Sequence, residues 1–365
     1  MSYFAPRSAD VSQPSVLGKC NRPDIAKAIQ PQYTQLIGHS RPGALPIVYS
    51  DVYNIGFLGV ERLHPFDSRK FGKVMTSLQK EGLFNVDQLV EPKEATQEML
   101  LDVHSQEYLD KLNASSAAIA FICELGALAV LPNSVVQKNL NRPMRHHVAG
   151  TMLALGLTLE YGWGLNLGGG MHHASHSTGG GWCVYDDWML AVRKLRQASN
   201  GRIQKAMMID LDIHQGNGHA RDKLHFKDDD FYIFDLYNAQ LWPADSLAKT
   251  AINCNKPIVS GTGDKEYLAR LEEGLATSFR DFSPDIVLYN AGTDILEGDP
   301  LGACRVSAAG VCKRDEMVFA AALEAGVPIC MALSGGYAKN SAAVISQCLS
   351  HVFTKFNLVQ RSSKL

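Results

Sequence analysis

The stretch Met207–His219, MMIDLDIHQGNGH, begins as an apolar strand pattern and ends in a glycine-containing loop. Alternation along a strand would direct Asp210, Asp212 and His214 to one face of a sheet. A metal site requires such a convergence of carboxylates and imidazole, whereas a half-exposed strand edge tolerates it without any ligand. An acidic strand end that caps a following helix is the plainer alternative.

Short apolar runs recur along the chain and end in glycine or polar residues. Besides AMMIDLD (206–212), they are LPIVYS (45–50), GLNLGGG (164–170), FYIFDLY (231–237), DIVLYNAG (285–292) and VPICMALSGG (327–336). Helical patterns lie between them, at Phe71–Glu81, Met144–Tyr161, Asp187–Gln197 and Tyr267–Phe282. Strands that alternate with helices predict an α/β fold, an open, mostly parallel sheet with helices on both faces.

Composition narrows the class of protein. The 365 residues carry a formal net charge of -2, so we predict no direct nucleic-acid binding. The longest apolar stretch, residues 117–131, contains Glu124 and is too short to cross a bilayer, so no membrane span is expected. The eight cysteines form no Cys-x-x-Cys pair, which argues against a zinc-thiolate site and favours a reducing compartment.

The chain divides into two parts by its pattern. Residues 1–44 mix Ser, Pro, Gln and isolated charges without clear periodicity, so we predict a loosely ordered N-terminal extension. Periodic patterns begin at Leu45, and residues 45–360 are predicted to form one domain.

Four of the predicted strands end in loops that are rich in glycine. In open parallel sheets, ligands bind beyond the carboxyl ends of the strands. The loops are NLGGGMHHASH (166–176), DLDIHQGNGH (210–219), YNAGTDILEGDPLG (289–302) and SGGYAKN (334–340). Because chain reversal alone needs one or two glycines, this density indicates backbone that passes close to a ligand.

Candidate metal ligands stand in two of these loops. Asp212 and His214 follow one strand, and Asp294 follows another. Three protein ligands with a further position for water are typical of catalytic zinc. Two carboxylates and one imidazole suit manganese or iron(II) as well, so the residue types alone leave the metal open.

Candidate proton-transfer groups follow the other two strands. His172 and His173 come after three glycines, and histidine titrates in the range that general acid–base catalysis needs. A second pair, His146 and His147, lies inside a predicted helix and is interpreted as packing. Tyr337, after two glycines, could donate a hydrogen bond to a developing oxyanion or could pack after a turn.

Together the loops resemble the zinc-dependent histone deacetylase family, most closely its class IV branch. The motifs that carry the resemblance are GGGMHHASHSTGGGWC (168–183), IDLDIHQGNGHARD (209–222), YNAGTDILEGDPLG (289–302) and SGGY (334–337), with LHPFDSRKFGKV (63–74) and HSQEYLDKL (104–112) as flanking stretches. The resemblance covers about residues 45–358 and implies an arginase/deacetylase-like catalytic domain.

The resemblance implies two cations. One catalytic zinc ion would be held by Asp212, His214 and Asp294. Asp210 would support His172 and, with nearby backbone carbonyls, would help to hold a structural potassium ion.

The resemblance also implies the catalytic groups. His172 and His173 would form the catalytic pair, with His173 as the general base, and Tyr337 would polarise the scissile carbonyl.

An acyl-lysine tunnel is implied too, lined by Gly181 and Trp182 with Trp242 opposite, although both tryptophans could instead belong to the core. Two residues depart from the family pattern. Asn217 stands where many members have an aspartate, so His173 should stay neutral more readily and act as a base. Trp182 stands where phenylalanine is usual, which leaves the acyl-chain length open.

The implied activity is zinc-dependent hydrolysis of N6-acyl-lysine in histones or other proteins, with an acetyl or a long-chain fatty acyl group. An arginase-like ureohydrolase, an amidohydrolase of small molecules such as acylpolyamines, and a non-enzymatic corepressor scaffold are the alternatives. Nucleus and cytosol are the expected locations, with corepressor-type partners. The last three residues, Ser363-Lys364-Leu365, match a peroxisomal address and make that compartment the second expectation.

Overall fold

The structure is a computed structural model that describes residues 17–41, 43–56, 59 and 64–359. Its strands are β1 Ile37–His39, β2 Ile47–Val48, β3 Glu91–Pro92, β4 Trp163–Asn166, β5 Ala206–Asp210, β6 Phe231–Asn238, β7 Cys254–Ile258, β8 Ile286–Asn290 and β9 Ile329–Ala332. Seven of them form one sheet in the order β2-β4-β9-β8-β5-β6-β7, and every neighbouring pair in it is parallel. Strands β1 and β3 form a separate antiparallel pair.

Helices connect the strands. They are α1 Leu17–Cys20, α2 Pro23–Thr34, α3 Lys70–Lys80, α4 Gln97–Leu100, α5 Gln106–Ala114, α6 Ser116–Ile122, α7 Asn133–Val136, α8 Arg142–Tyr161, α9 Asp187–Ala198, α10 Asn217–Phe226, α11 Ser246–Lys249, α12 Asp264–Asp281, α13 Ala308–Glu324 and α14 Ser341–Lys355. Short 3-10 turns lie at Asp51–Tyr53, Val86–Gln88 and Gly126–Val130, and a π-helical turn at Gln137–Asn141. No helix within the described ranges combines the length and apolarity that a bilayer crossing needs.

Two hydrophobic layers cover the sheet, one on each face. Strand β5 shows the division, because Met208 packs into one layer while Met207 and Ile209 pack into the other. Helices α2, α8 and α9 supply the first layer, and α3, α12, α13 and α14 supply the second. The predicted α/β fold, an open parallel sheet with helices on both faces, is therefore confirmed.

Local sequence signals account for the boundaries of the long helix α8. Pro143 occupies its first turn, where the missing N–H costs no hydrogen bond. Gly162 ends the helix with a φ of 80°, a conformation that glycine adopts without strain. In the structure the helix begins at Arg142, two residues before the predicted start at Met144, and it ends at Tyr161 as predicted.

The predicted loose extension over residues 1–44 is wrong for the part that the structure describes. Helix α2 lies inside it, and its side chains Ile25, Ile29 and Tyr33 recur every four residues and are buried against α8. The spacing gives the helix one apolar face, which supplies the packing that a loose segment lacks. Residues 1–16 lie outside the described residues.

The sequence interpretation also missed an edge strand and a cysteine pair. Strand β7, CNKPI, lies at the edge of the sheet with partly exposed side chains, so it lacks an apolar run. Cys312 on α13 and Cys348 on α14 form a disulfide with their Cα atoms 4.4 Å apart. Their separation of 36 residues gave no local signal.

Candidate active site

The four glycine-rich loops meet at one edge of the sheet. They follow β4, β9, β8 and β5, which are consecutive in the strand order. Backbone hydrogen bonds tie neighbouring loops together, from Leu333 to the carbonyl of Gly168 at 3.3 Å and from Thr293 to the carbonyl of Gly335 at 3.1 Å. The expectation that a site forms beyond the carboxyl ends of these strands is matched by this convergence.

The turn after β5, rather than the strand itself, places two of the candidate ligands. The strand ends at Asp210, opposite the last residue of β8, so the predicted alternation does not extend to Asp212 and His214. The chain bends there, and the His214 N–H donates to Asp212 Oδ1 at 3.1 Å. Hydrogen bonding within the turn therefore directs both side chains to the same point.

Asp212, His214 and Asp294 form a compact buried cluster. One ligand atom from each lies within 4.8 Å of the others. His214 Nδ1 is 3.2 Å from Asp212 Oδ1 and 3.2 Å from Asp294 Oδ2. Within the described part of the chain this is the one group of three such residues with the spacing of a metal site.

The charges of this cluster fit a divalent cation. Burial lowers the pKa of His214, but its hydrogen bonds to Asp212 and Asp294 outweigh burial and raise the pKa to about 10. Burial, then repulsion from Asp212, raises the pKa of Asp294 to about 7. Two carboxylates thus hold a positive charge between them, and a metal ion bound by the same atoms would supply that charge in place of the proton.

His172 and His173 lie side by side, with ring centroids 4.0 Å apart, but they have different partners. His172 Nδ1 is 2.9 Å from the carboxylate of Asp210, and His173 Nδ1 is 2.7 Å from the amide oxygen of Asn217. Burial lowers the pKa of His172, but Asp210 and Asp212 outweigh it and raise the pKa to about 9. Burial, then the charges of His172 and His214, holds the pKa of His173 well below its usual value. At neutral pH one ring is therefore charged and the other is free to accept a proton.

Tyr337 faces the same cluster. Its ring centroid lies 6.1 Å from that of His214, with the two planes almost perpendicular. Its backbone N–H donates to Asp299 Oδ2 at 2.7 Å, which fixes the loop that carries it. Burial, then the carboxylates of Asp212 and Asp294, raises the phenol pKa well above its usual value, so the hydroxyl remains a donor.

A narrow cavity, with a volume of about 30 Å³, leads to these residues. Gly181 and Trp182 line it, and Trp242 lines its outer mouth. Trp182 is 5% exposed, whereas Trp242 is 52% exposed with its ring 4.5 Å from that of His173. Gly181 has a φ of 52°, and a Cβ there would lie 2.7 Å from His173 Cδ2, so only glycine fits beside the histidine.

Sequence reasoning missed Lys70, which begins α3. Its side chain is fully buried, and Nζ donates to the carbonyls of Ser334 at 2.5 Å and Gly335 at 2.6 Å. Burial lowers its pKa to about 8, against the opposing effect of nearby carboxylates, Asp294 first. The sequence did carry a signal for this buried lysine. Lys70 stands four residues before Val74 and so falls on the apolar face of the helix.

The helical pair His146 and His147 also needs a fuller account than packing. His147 is buried and stacks on Tyr53, with ring centroids 4.1 Å apart. Its Nδ1 accepts a hydrogen bond from the Gly169 N–H at 3.0 Å, so the ring holds the glycine loop that precedes His172. Its position in a helix, far from this loop in sequence, concealed that contact.

The neighbouring end of α9 holds the next two residues of the same loop. The Asp187 carboxylate accepts from the Gly170 N–H at 2.9 Å and from the Met171 N–H at 2.8 Å. Two buried side chains from two helices therefore fix the backbone that leads into His172 and His173.

Comparisons with known proteins identify the family of this chain. The family model described as the histone deacetylase domain matches residues 64–355. Histone deacetylase 2 of Arabidopsis thaliana is 45% identical over 308 residues, which are 84% of this chain and 78% of that protein. Acetoin utilization protein AcuC of Staphylococcus aureus is 26% identical over 305 residues, which are 80% of this chain and 76% of that protein.

A solved structure, that of the HDA15 HD domain, shares the fold. It matches with a TM-score of 0.67 at 20% identity, over 86% of this chain and 89% of that chain. The fold and the matched family together define an amide hydrolase of the deacetylase type. The chain belongs to the histone deacetylase family.

Proposed function

We propose that this protein hydrolyses N6-acyl-lysine in histones or other proteins, with one zinc ion held by Asp212, His214 and Asp294. The observation that carries the proposal is the buried Asp-His-Asp cluster beside two histidines of opposite charge preference. A zinc ion held there would supply a Lewis acid for the amide carbonyl and would lower the pKa of water. The cavity that leads to the cluster supports a long, narrow substrate group such as an acylated lysine side chain.

The side chains around the cluster suit the steps of amide hydrolysis. Neutral His173 accepts the proton of the attacking water, a contribution of roughly a hundred- to ten-thousand-fold in rate. The Tyr337 hydroxyl donates a hydrogen bond to the carbonyl oxygen as negative charge develops on it. The histidine pair, with His172 held charged by Asp210, returns a proton to the departing lysine amine. The products are a free lysine side chain and a carboxylate.

A structural potassium ion beside Asp210 is a second part of the proposal. Asp235 lies on the adjacent strand β6, directly opposite Asp210 in register, and is fully buried. Its Oδ2 accepts from the Gly216 N–H at 3.0 Å, but Oδ1 has no hydrogen-bond partner among the described residues. Burial, then the Asp210 charge, raises the pKa of Asp235 well above its usual value. A monovalent cation would satisfy that oxygen, so KCl should raise the Tm of the wild type more than that of Asp235→Asn.

Within the family, we further propose that the protein belongs to the class IV branch and that it prefers substrates with long acyl chains. The motifs that resemble class IV, SGGY (334–337) and LHPFDSRKFGKV (63–74) among them, support the branch. The wall of the cavity supports a long apolar group, because Ile55, Phe71 and Met144 line it together with the histidines. Such a lining would bury methylene groups that an acetyl substrate lacks.

Deacylation of one lysine peptide that carries either an acetyl or a myristoyl group tests both the zinc-dependent activity and the preference for long acyl chains. Turnover that a zinc chelator abolishes and added zinc restores is the expected result, with the myristoyl peptide preferred. Chelator-sensitive turnover that favours the acetyl peptide would remove the long-chain assignment and leave the deacetylase. Absence of turnover on both peptides, with zinc bound, would contradict the proposed function.

A small-molecule amidohydrolase is the second candidate, favoured by the similarity to the acetoin utilization protein. Acylated polyamines assayed beside the peptides separate the two, because the candidate predicts higher kcat/KM on the polyamine. A ureohydrolase of the arginase type needs two metals, and the described residues hold one three-residue cluster of the required kind. A non-enzymatic corepressor scaffold predicts that active-site variants retain every biological effect.

Nucleus and cytosol are the proposed locations, with histones and corepressor-type proteins as partners. The peroxisomal alternative depends on Ser363-Lys364-Leu365, which lies outside the described residues. Imaging of a variant without Leu365 distinguishes the two, because an unchanged distribution would remove the peroxisome.

A further inference from the structure

One carboxylate stands at the mouth of the cavity. Glu124 is the one acidic residue among the described residues that line the mouth, whose other walls include Leu241, Trp242 and Leu301. Its side chain is 53% exposed, so it is open to a group that approaches from solvent. As the one acid among the described lining residues, Glu124 gives this side of the entrance a local negative charge.

The backbone next to Glu124 is hydrogen-bonded to the wall of the cavity. It follows α6, and the Trp182 N–H donates to the carbonyl of Ile122 at 3.0 Å, which joins the end of that helix to the wall. The residue has a φ of 54°, a left-handed conformation that is uncommon outside glycine. The chain therefore turns sharply at Glu124 while its neighbour two residues earlier is anchored beside the cavity.

The carboxylate is paired with a histidine that is neutral. Glu124 Oε2 lies 3.2 Å from His64 Nε2, and His64 Nδ1 accepts a hydrogen bond from the Phe66 N–H at 3.0 Å. Since Nδ1 is an acceptor, the ring hydrogen sits on Nε2 and points to the carboxylate. Burial lowers the pKa of His64, against the raising effect of Glu124, so the pair keeps a net negative charge at neutral pH.

The pair also lies close to the reacting end of the site. The His64 ring centroid is 5.4 Å from that of Trp182 and 6.3 Å from that of Tyr337. A peptide that inserts its acyl-lysine between these aromatic rings must place the flanking residues over the same rim. A flanking cation would meet Glu124, whereas a flanking carboxylate would meet its repulsion.

We propose that Glu124 is a specificity-determining residue, which selects substrates with a positive charge next to the acylated lysine. This inference rests on the proposed lysine deacylation and names the substrate class for that same site. Because exposed ion pairs are weak, the expected preference is about two- to fivefold in kcat/KM. It should act mainly on KM, since the flanking residue does not change during the reaction.

Two acyl-lysine peptides that differ only in an arginine or a glutamate beside the modified lysine test the inference. The wild type, Glu124→Gln and a control variant, Glu160→Gln, are each assayed on both peptides. Glu160 is exposed near the end of α8, beside the amino end of β4 and thus at the opposite edge of the sheet. The control removes the same charge far from the mouth.

The wild type and Glu160→Gln should both prefer the arginine peptide. In Glu124→Gln the ratio of kcat/KM for the arginine peptide to kcat/KM for the glutamate peptide should fall to about one. High salt should weaken the wild-type preference, because it screens exposed charges. An unchanged preference in Glu124→Gln, with turnover intact, would overturn the inference and leave the proposed function standing. Loss of turnover on both peptides in the wild type with zinc bound would overturn the two together.

Discussion

The N–H of Gly169 donates a hydrogen bond to Nδ1 of His147 at 3.0 Å, so a helix on one face of the sheet holds the loop that carries His172 and His173. The other ring nitrogen of His147 lies 3.3 Å from the carbonyl of Tyr53. With Nδ1 an acceptor, Nε2 carries the hydrogen and the ring is neutral. Burial lowers its pKa to about 3, consistent with that state.

Replacement of His147 by Phe should destabilise the protein. The variant keeps a ring but leaves the buried Gly169 N–H without its acceptor, a loss of about 1–3 kcal/mol in the free energy of unfolding. Urea unfolding measures the change, and deacylation should slow because the loop positions His172. His146→Phe is the matched control, one position away and without a hydrogen bond to this loop. Equal stability of the two variants would contradict the role given to His147.

Replacement of Asn217 by Asp should change the pH dependence of turnover. A carboxylate at 2.7 Å from His173 Nδ1 would raise the pKa of that ring. Since the base must be unprotonated to act, the acidic limb of kcat/KM should move to higher pH, and activity below it should fall. Asn200→Asp, at an exposed turn, makes the same chemical change as a control. Superimposable profiles for Asn217→Asp and wild type would argue against His173 as the base.

Replacement of Lys70 by Met should affect stability and turnover together. The variant removes charged hydrogen bonds to the carbonyls of Ser334 and Gly335, a loss of roughly 1.5–3 kcal/mol in the free energy of unfolding. It also frees the loop that carries Tyr337, so kcat should fall. Lys73→Met, on an exposed part of the same helix, should stay within about 0.5 kcal/mol of wild type. A Lys70→Met protein as stable and active as that control would contradict the positioning role.

The protein should lose stability as pH falls from about 6.5 to 4, in part through His104. Its Nε2 accepts from the Asp186 N–H at 3.0 Å and its Nδ1 lies 3.0 Å from the Ser175 carbonyl, so the buried ring is neutral. Burial lowers its pKa to about 4. The unfolded chain therefore binds more protons in this window, and the stabilisation present above pH 6.5 is lost as pH falls.

Urea unfolding across this pH range measures the His104 contribution, by comparison of wild type with His104→Gln. Between pH 6.5 and 4, the free energy of unfolding of the wild type should fall by roughly 3 kcal/mol more than that of His104→Gln. Parallel curves for the two proteins would show that His104 does not supply the proton linkage.

Much of the fold and the site could be predicted from local patterns. Apolar runs and glycine-rich ends located six of the seven strands in the main sheet, and the rule for parallel sheets brought four loops together. The edge strand Cys254–Ile258 escaped because half-exposed edge residues lack an apolar run. Asp212 and His214 were predicted to converge by strand alternation, but a turn after Asp210 produces the convergence.

The supporting residues could not be predicted, because their partners are distant in sequence. Lys70 contacts Ser334 and Gly335 across 264 and 265 residues. His147 reaches Gly169 from a helix whose pattern indicates only packing. The loose extension predicted before residue 45 was wrong where α2 packs, because its few apolar residues, at a spacing of four, suffice to cover α8.

We propose that Asp212, His214 and Asp294 hold a catalytic zinc while Tyr337 acts on the substrate. Bound zinc per chain and turnover of an acyl-lysine peptide, measured on the same preparations of wild type, Asp212→Ala and Tyr337→Phe, test it most directly. Asp212→Ala should lose zinc and turnover together, whereas Tyr337→Phe should keep zinc and lose about a hundred- to a thousandfold in kcat. Equal zinc retention in the two variants, or full activity of Asp212→Ala without zinc, would contradict the account.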